Sequence, residues 1–253
     1  MIRVLVNGAK GKMGQTTVAA VSATSDLQLA AQSDIDSDLH ALVTQFKPDV
    51  AVDFTHPDFV RKNTLDYLEM GVRPVIGTTG LTARDLKDID AAAKEKGLGA
   101  LIVPNFAIGA LLMMKVSAEI ARYMDTCEII EYHHNQKADA PSGTAIKTAQ
   151  LIAQDNPNLN PKSKVKEKEL IPGSRGAVVE GIPIHAVRLP GIVADQSVVF
   201  GAPGQTLTIT HHTINREAFM PGVLLAIRKV MSLTGMVYGL ESILFESESG
   251  RAA

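Results

Sequence analysis

Residues 1–14 read MIRVLVNGAKGKMG. Ile2 to Val6 is a short run rich in β-branched residues, the kind that packs on a pleated sheet. It passes without a break into Asn7-Gly8-Ala9-Lys10-Gly11-Lys12-Met13-Gly14, and an apolar pattern of helical period follows from Met13 to about Ala23. Strand, glycine-rich turn and helix in that order bring unsatisfied N–H groups and the positive end of a helix dipole to one point, which suits a phosphate. The glycines are spaced G-x-x-G-x-x-G rather than G-x-G-x-x-G, so the loop alone is also compatible with a tight turn that binds nothing.

The flanking sequence favours the phosphate. A second strand is expected at Leu27 to Ala31, and Asp34 stands about twenty positions after the glycine loop, where an acid can grip a ribose hydroxyl. Apolar runs at Val50 to Phe54, Arg73 to Gly77 and Leu98 to Val103 alternate with helical patterns at about Asp38 to Gln45, Asp58 to Met70 and Thr82 to Lys96. That alternation predicts an α/β fold: a Rossmann-like parallel sheet covered on both faces. Gly77-Thr78-Thr79-Gly80 and Pro104-Asn105-Phe106 follow two of these strands, at the carboxyl edge where open α/β sheets bind ligands. Either is ordinary turn chemistry alone; with the first loop they make a dinucleotide site the favoured reading. The cofactor stays divided. Asp34 favours the free 2′-hydroxyl of NAD, whereas Lys10 and Lys12 could reach the 2′-phosphate of NADP or simply be a solvated pair.

The chain has 253 residues, 45% hydrophobic and 21% charged, the profile of a globular protein with room for one large or two modest domains. A net charge of −2 provides no global basic field, so neither nucleic acid nor an anionic membrane is expected as a partner. The first residues lack the pattern of a signal peptide, and the longest apolar run, Phe106 to Met114, is about half a membrane span, so a cytoplasmic location is expected. Cys127 is the sole cysteine, which allows no internal disulfide, and it reads as a small buried residue rather than a nucleophile.

After Phe106 the pattern changes. One long helix is expected from Ala107 to Met124, a strand from Cys127 to Tyr132, and a helix from Lys147 to Gln154 with Pro141-Ser142-Gly143-Thr144 at its start. Residues 156–169, NPNLNPKSKVKEKE, read as a polar surface loop. Strand-like runs follow at Val178 to Leu189, Gly191 to Phe200 and Thr206 to His212, and the strict alternation of the last implies one buried face. Together they predict a second, α+β domain on a mixed four-stranded sheet, with too few helices to cover both faces and hence an oligomer. A helix from Glu217 to Met231 and the tail should return to the first domain. The expected division is a dinucleotide-binding domain, 1–106 completed by 216–253, and a substrate-binding and oligomerisation domain, 107–215.

The chemistry concentrates in EYHHNQKADAPSGT, residues 131–144. Adjacent strand residues point to opposite faces, so His133 and His134 are poor partners for one metal ion, and Lys137 would repel it. An ordinary histidine pair and a plain helix cap at Ser142 and Thr144 are the bland readings. Against them, His133, His134 and Lys137 beside a helix start describe a receptor for a small dianion.

The stretch EYHHNQKADAPSGTA also resembles the signature of the dihydrodipicolinate reductase family. VNGAKGKMG, VDFTHP, VIGTTG, VPNFAIG, GIPIHAVRLPG and FGAPGQTLTITH are similar to further motifs of that family in the same order, so the resemblance covers nearly the whole chain. It implies an NADH- or NADPH-dependent reductase that adds hydride to C4 of a cyclic dicarboxylate, with loss of water. His133 would be the proton donor and Lys137 a catalytic and carboxylate-binding cation. His134, Ser142, Gly143 and Thr144 would hold the carboxylates. Gly8, Ala9, Lys10, Gly11, Lys12, Met13, Asp34, Gly77, Thr78, Thr79, Val103, Pro104, Asn105 and Phe106 would hold the cofactor. No metal is implied, the domains would close over the substrate, and the assembly would be a homotetramer built through the second-domain sheet.

Two features depart from the family pattern. The segment between Asp36 and Val50 is shorter than in many relatives, and Ile35 stands where many have an arginine, which favours NADH or dual use. The rivals are another two-domain nicotinamide oxidoreductase, acting for instance on an amino-acid semialdehyde, and a non-catalytic nucleotide sensor. An acylating dehydrogenase needs a cysteine with a base beside it, which Cys127 does not offer.

Overall fold

The computed structural model describes residues 1–161, 165 and 168–245, in two units: Met1–Ala107 with the segment from Phe219 onward, and Ile108–Ala218. The first unit begins with β1 (Ile2–Asn7), α1 (Lys12–Ser22), β2 (Leu27–Ser33), α2 (Leu39–Phe46), β3 (Val50–Asp53), α3 (Pro57–Glu69), β4 (Arg73–Ile76), α4 (Ala83–Lys96) and β5 (Gly99–Ile102). The helices start and stop where capping chemistry allows. Asp38 caps α2 by accepting from Ala41 N, Thr82 and Asp85 form a reciprocal capping box on α4, and Gly97 ends α4 in the left-handed conformation. Successive residues of β1 and β3 (Val4, Leu5, Val6; Val50, Ala51, Val52) are all sealed from solvent, as strands covered on both faces must be.

The second unit runs α5 (Ile108–Ile120), β6 (Thr126–His133), α6 (Gly143–Asp155), β7 (Ala177–Val179), β8 (Ile182–Arg188), β9 (Ala194–Ala202) and β10 (Gln205–Thr213). Its sheet is mixed and ordered β10-β9-β6-β8-β7, with β6 and β8 parallel and the other neighbours antiparallel. Three expectations are corrected here. The sheet has five strands, not four, because Glu180 and Gly181 both take positive φ and turn the run from Val178 to Leu189 into the β7–β8 hairpin. The run from Ala107 to Met124 is not one helix: α5 gives way to a 3-10 turn at Ala121–Tyr123. Edge strand β10 is not buried along one whole face in spite of its alternation. Leu207 is 42% exposed, and cover begins only towards the strand's end, where Ile209 and His211 are partly buried and Thr213 is buried; α5 reaches the strand at His211, where a side chain on Gly109 would collide with the imidazole.

Burial on β6 alternates with the pleat. Cys127, Ile129 and Glu131 are buried beneath the helices, together with Ile184 of β8 and Val198 and Phe200 of β9, while Glu128, Ile130 and Tyr132 on the opposite face stay partly exposed. Of the lysine-rich stretch 156–169, residues 162–164, 166 and 167 lie outside the described residues.

The chain then returns to the first unit with a 3-10 turn (Arg216–Phe219), α7 (Met220–Val230), β11 (Gly235–Tyr238) and α8 (Glu241–Leu244). β11 pairs parallel to β5 and completes a six-stranded parallel sheet of order β11-β5-β4-β3-β1-β2. The order reverses between β1 and β3, and at such a switch point a crevice opens past the carboxyl ends of the strands. Among the described residues no helix is long and apolar enough to cross a membrane.

Candidate functional site

In the first unit that crevice is a cleft of about 410 Å³, lined among others by Gly8, Gly11, Asp34, Ile35, Phe54, Thr55, Phe59 and Asn63. Glycine is required where the strand ends pack: Gly8 has φ +80, and a Cβ on Gly14 would lie 2.0 Å from the Gly8 carbonyl oxygen, so α1 sits directly on the end of β1. Most of the loop amides already have acceptors. Gly8 and Ala9 donate to Ser33 O, Lys10 N to Asp34 Oδ2 at 2.8 Å, and Gly11 N to Gly8 O. The first turn of α1 is different. Lys12, Met13 and Gly14 have no intrahelical acceptor, and Gly11 offers no side-chain cap. Of the loop expected to hold a cofactor, this turn is the part fitted for a phosphate.

Asp34 accepts from Ile35 N at 2.9 Å as well as from Lys10 N, and these backbone bonds hold its carboxyl below the ordinary range. It is therefore an anchored carboxylate with acceptor capacity left for a ribose hydroxyl. Beside it Ile35 is 82% exposed, and the Lys10 ammonium lies 3.4 Å from Asp36. The residues present thus fit a dinucleotide.

Gly77, Thr78 and Thr79 and the segment Val103, Pro104, Asn105 and Phe106 lie further along the same sheet edge, past β4 and β5, and are not part of the cleft wall. Gly77 makes room for the edge-to-face pair of Phe54 and Phe106, whose ring centroids are 5.6 Å apart. Thr78 turns inward. Its hydroxyl donates to Asp53 Oδ1 at 2.8 Å and accepts from Thr55 N. Asp53, unforeseen in the sequence, is wholly buried and also accepts from Tyr67 Oη (2.9 Å), Asn7 Nδ2, Asn63 Nδ2 and the Thr55 hydroxyl. One carboxylate therefore ties together the ends of β1, β3 and β4. Burial and this neighbour push the Tyr67 phenol well above its ordinary value, so it remains a donor.

In the second unit the site forms where β6 ends beside the start of α6. Glu131 and His133 are two apart on β6 and so share its inner face, with His133 Nδ1 2.5 Å from Glu131 Oε2. Parallel pairing places Arg188 opposite His133, and its guanidinium meets Glu131 with two bonds of 2.8 Å. Burial alone would raise the Glu131 carboxyl, but hydrogen bonds and charge from His133 and Arg188 outweigh it and hold the group at about 2. Arg188 Nη2 also donates to Asp139 O at 2.7 Å, and the Asp139 carboxylate holds the Lys137 ammonium at 2.7 and 2.8 Å.

Helix α6 begins at Gly143, four residues earlier than expected, because buried Ser142 caps it: its hydroxyl accepts from Ala145 N. Ser142 N donates to Glu131 Oε1 at 3.1 Å. Gly143 has neither a positive φ nor any atom within 4 Å of where a Cβ would stand, so nothing inside the protein requires glycine there. His133, Lys137, Ser142 and Gly143 are thus gathered at one sheet edge. His134 lies past the strand end, exposed, its carbonyl accepting from Lys137 N, and Thr144 occupies the first turn of α6. Cys127 is buried on β6 and its thiol is pushed up to about 12, by burial first and by Glu128 second. It has the environment of a packing residue.

Two family models match the chain: "Dihydrodipicolinate reductase, N-terminus" over residues 2–106 and "Dihydrodipicolinate reductase, C-terminus" over residues 109–244. A 4-hydroxy-tetrahydrodipicolinate reductase from Picosynechococcus sp. is 48% identical, the alignment covering 96% of this chain and 98% of that protein. One from Geobacillus kaustophilus is 47% identical, with 96% and 99% covered. A solved structure of dihydrodipicolinate reductase from Paenisporosarcina sp. TG-14, described as bound to dipicolinate, is 43% identical with a TM-score of 0.86, covering 96% of this chain and 99% of that one. An amine dehydrogenase from Mycobacterium smegmatis, 16% identical with a TM-score of 0.60 over 95% of each chain, shares the fold alone.

Proposed function

The chain belongs to the dihydrodipicolinate reductase family, and we propose from that premise how its residues carry out the NAD(P)H-dependent reduction of 4-hydroxy-tetrahydrodipicolinate in lysine and diaminopimelate biosynthesis. The observation that supports this reading is a continuous chain of contacts. His133 touches Glu131, Glu131 holds Arg188 and the α6 amide of Ser142, Arg188 donates to the Asp139 carbonyl, and the Asp139 carboxylate holds Lys137. A proton donor, a cation and a helix N-terminus are thereby mounted on one frame, as a reactive dianion needs.

When bound, a reduced nicotinamide would supply the hydride that C4 of the ring receives once the hydroxyl has left as water. Negative charge then gathers on the ring nitrogen or the carbon next to C4. His133, with Nδ1 turned to Glu131, presents Nε2 to deliver a proton there. Lys137 and the α6 amides, Gly143 N–H foremost, bind the carboxylates, and the empty space at the Gly143 Cβ position lets a carboxylate approach the backbone. His134, Ser142 and Thr144 complete the carboxylate site, Ser142 through its cap rather than its hydroxyl.

For the cofactor, the Lys12–Gly14 amides would take the pyrophosphate and Asp34 the adenosine ribose; Gly77–Thr79 and Val103–Phe106 would line the nicotinamide end. Exposed Ile35 beside an anchored carboxylate favours NADH or dual use over strict NADPH dependence. The partly exposed face of the second sheet is the surface on which copies assemble, as a cytoplasmic homotetramer. The test is loss of reduced-nicotinamide absorbance, with NADH and NADPH separately, on substrate generated in place from pyruvate and aspartate semialdehyde by the preceding synthase. Oxidation must require both proteins. A folded preparation that binds either nucleotide without oxidising it would return the chain to the sensor reading.

A further inference from the structure

We propose that Glu131 is a positioning residue, which keeps a proton on His133 Nδ1 so that Nε2 alone exchanges a proton with substrate, and which locks the start of α6 to the same anchor. The inference rests on the reading of His133 as proton donor. Glu131 is 0% exposed, yet it receives four donors, two on each oxygen: His133 Nδ1 and Arg188 Nη1 on Oε2, Ser142 N and Arg188 Nη2 on Oε1. An ionised carboxylate only accepts, and a guanidinium and a backbone amide only donate. The proton between Glu131 and His133 therefore belongs to the imidazole, and neutral His133 is the Nδ1–H tautomer.

The arrangement exceeds what a buried ion pair requires. Arg188 alone would neutralise Glu131, but the carboxylate also reaches the imidazole and the α6 amide, so ring orientation and helix start are set by one group. The charged groups around the imidazole are Glu131 and Arg188, with Lys137 and Asp139 linked through Arg188.

The experiment uses the full-length protein with 15N-labelled histidine, His133→Gln serving to assign the resonance. In the wild type, two-bond 1H–15N couplings of neutral His133 should report the Nδ1–H tautomer. In Glu131→Gln, half of the side chain becomes a donor, the Nδ1–H preference should weaken, and kcat should fall about a hundredfold, the lower range for losing general acid–base catalysis. KM should stay within about threefold, since the carboxylate-binding groups remain. Glu131→Asp, which keeps the charge but shortens the reach, should recover part of kcat.

An Nε2–H tautomer in the wild type would overturn the proposal without any variant being needed. So would wild-type kcat in Glu131→Gln while His133→Gln is inactive. Full activity in His133→Gln is a different failure: it would remove His133 as proton donor, and with it the reading on which this inference stands.

Discussion

Protonating Glu131 should destabilise the protein by an amount that follows from its surroundings. The carboxyl ordinarily titrates near 4.5 and is held at about 2 in the fold. A group whose folded value is depressed contributes stability that is fully present above its unfolded value and is lost as pH falls towards the folded one. At about 1.36 kcal/mol for each tenfold change in proton affinity, the whole contribution is about 3 kcal/mol. About 1 kcal/mol of it should be gone at about pH 4 and about 2 kcal/mol at about pH 3, as the unfolded chain takes up its proton first. Glu131→Gln cannot titrate, and the carboxylates away from it are common to both proteins, so subtraction isolates Glu131 together with the groups it contacts. Urea denaturation followed by circular dichroism, repeated from about pH 6 to about pH 3, gives the difference directly. The stability gap between wild type and variant should narrow by about 2 kcal/mol over that range. A gap that stays constant would refute the reasoning, because Glu131 would then bind its proton equally well folded and unfolded.

Lys137→Ala should lose about 3 kcal/mol of transition-state stabilisation, read as kcat/KM, with nucleotide affinity by calorimetry nearly unchanged; normal turnover would remove Lys137 from the mechanism. Cys127, sealed and with its thiol pushed up to about 12, should ignore a thiol reagent at neutral pH in the native protein and react at once in denaturant. Rapid native modification would show that β6 opens readily. Ile35→Arg, at an exposed position beside Asp34, should leave stability unaltered and raise kcat/KM for NADPH relative to NADH about tenfold, the worth of one modest charged hydrogen bond. An unchanged ratio would place the 2′-phosphate elsewhere.

What could be read from the sequence was whatever one continuous stretch carries. The β1–loop–α1 unit announced itself because strand, glycines and helix are adjacent; Gly14 must be glycine because a Cβ would strike the Gly8 carbonyl, and Gly8 because of its positive φ and the Phe54 carbonyl beside it. His133, Lys137, Ser142 and Gly143 fall within a dozen residues, and a turn with a helix cap returns them to one edge. The alternation of β10 was legible too, but alternation reports the pleat and not what lies against it, and within this chain little does. The Glu180-Gly181 turn is a hairpin signal masked by the apolar residues on either side of it. β11 was not legible: it is four residues long and gains its place only by pairing with β5, well over a hundred positions earlier.

The groups that no single stretch reveals share a physical cause. Asp53 looks like an ordinary strand end until Asn7, Tyr67, Asn63 and Thr78 converge on it from three other elements. Arg188 lies in a motif with no catalytic look, and it becomes part of the site only because β8 runs parallel to β6 in the register that sets it opposite His133. A slip of one residue would turn Arg188 to the outer face and leave Glu131 buried without its counter-charge. The site therefore depends on sheet register as much as on the identity of its histidine. Glu131 is the exception: it is two residues before His133, and on a strand that spacing already puts both on one face.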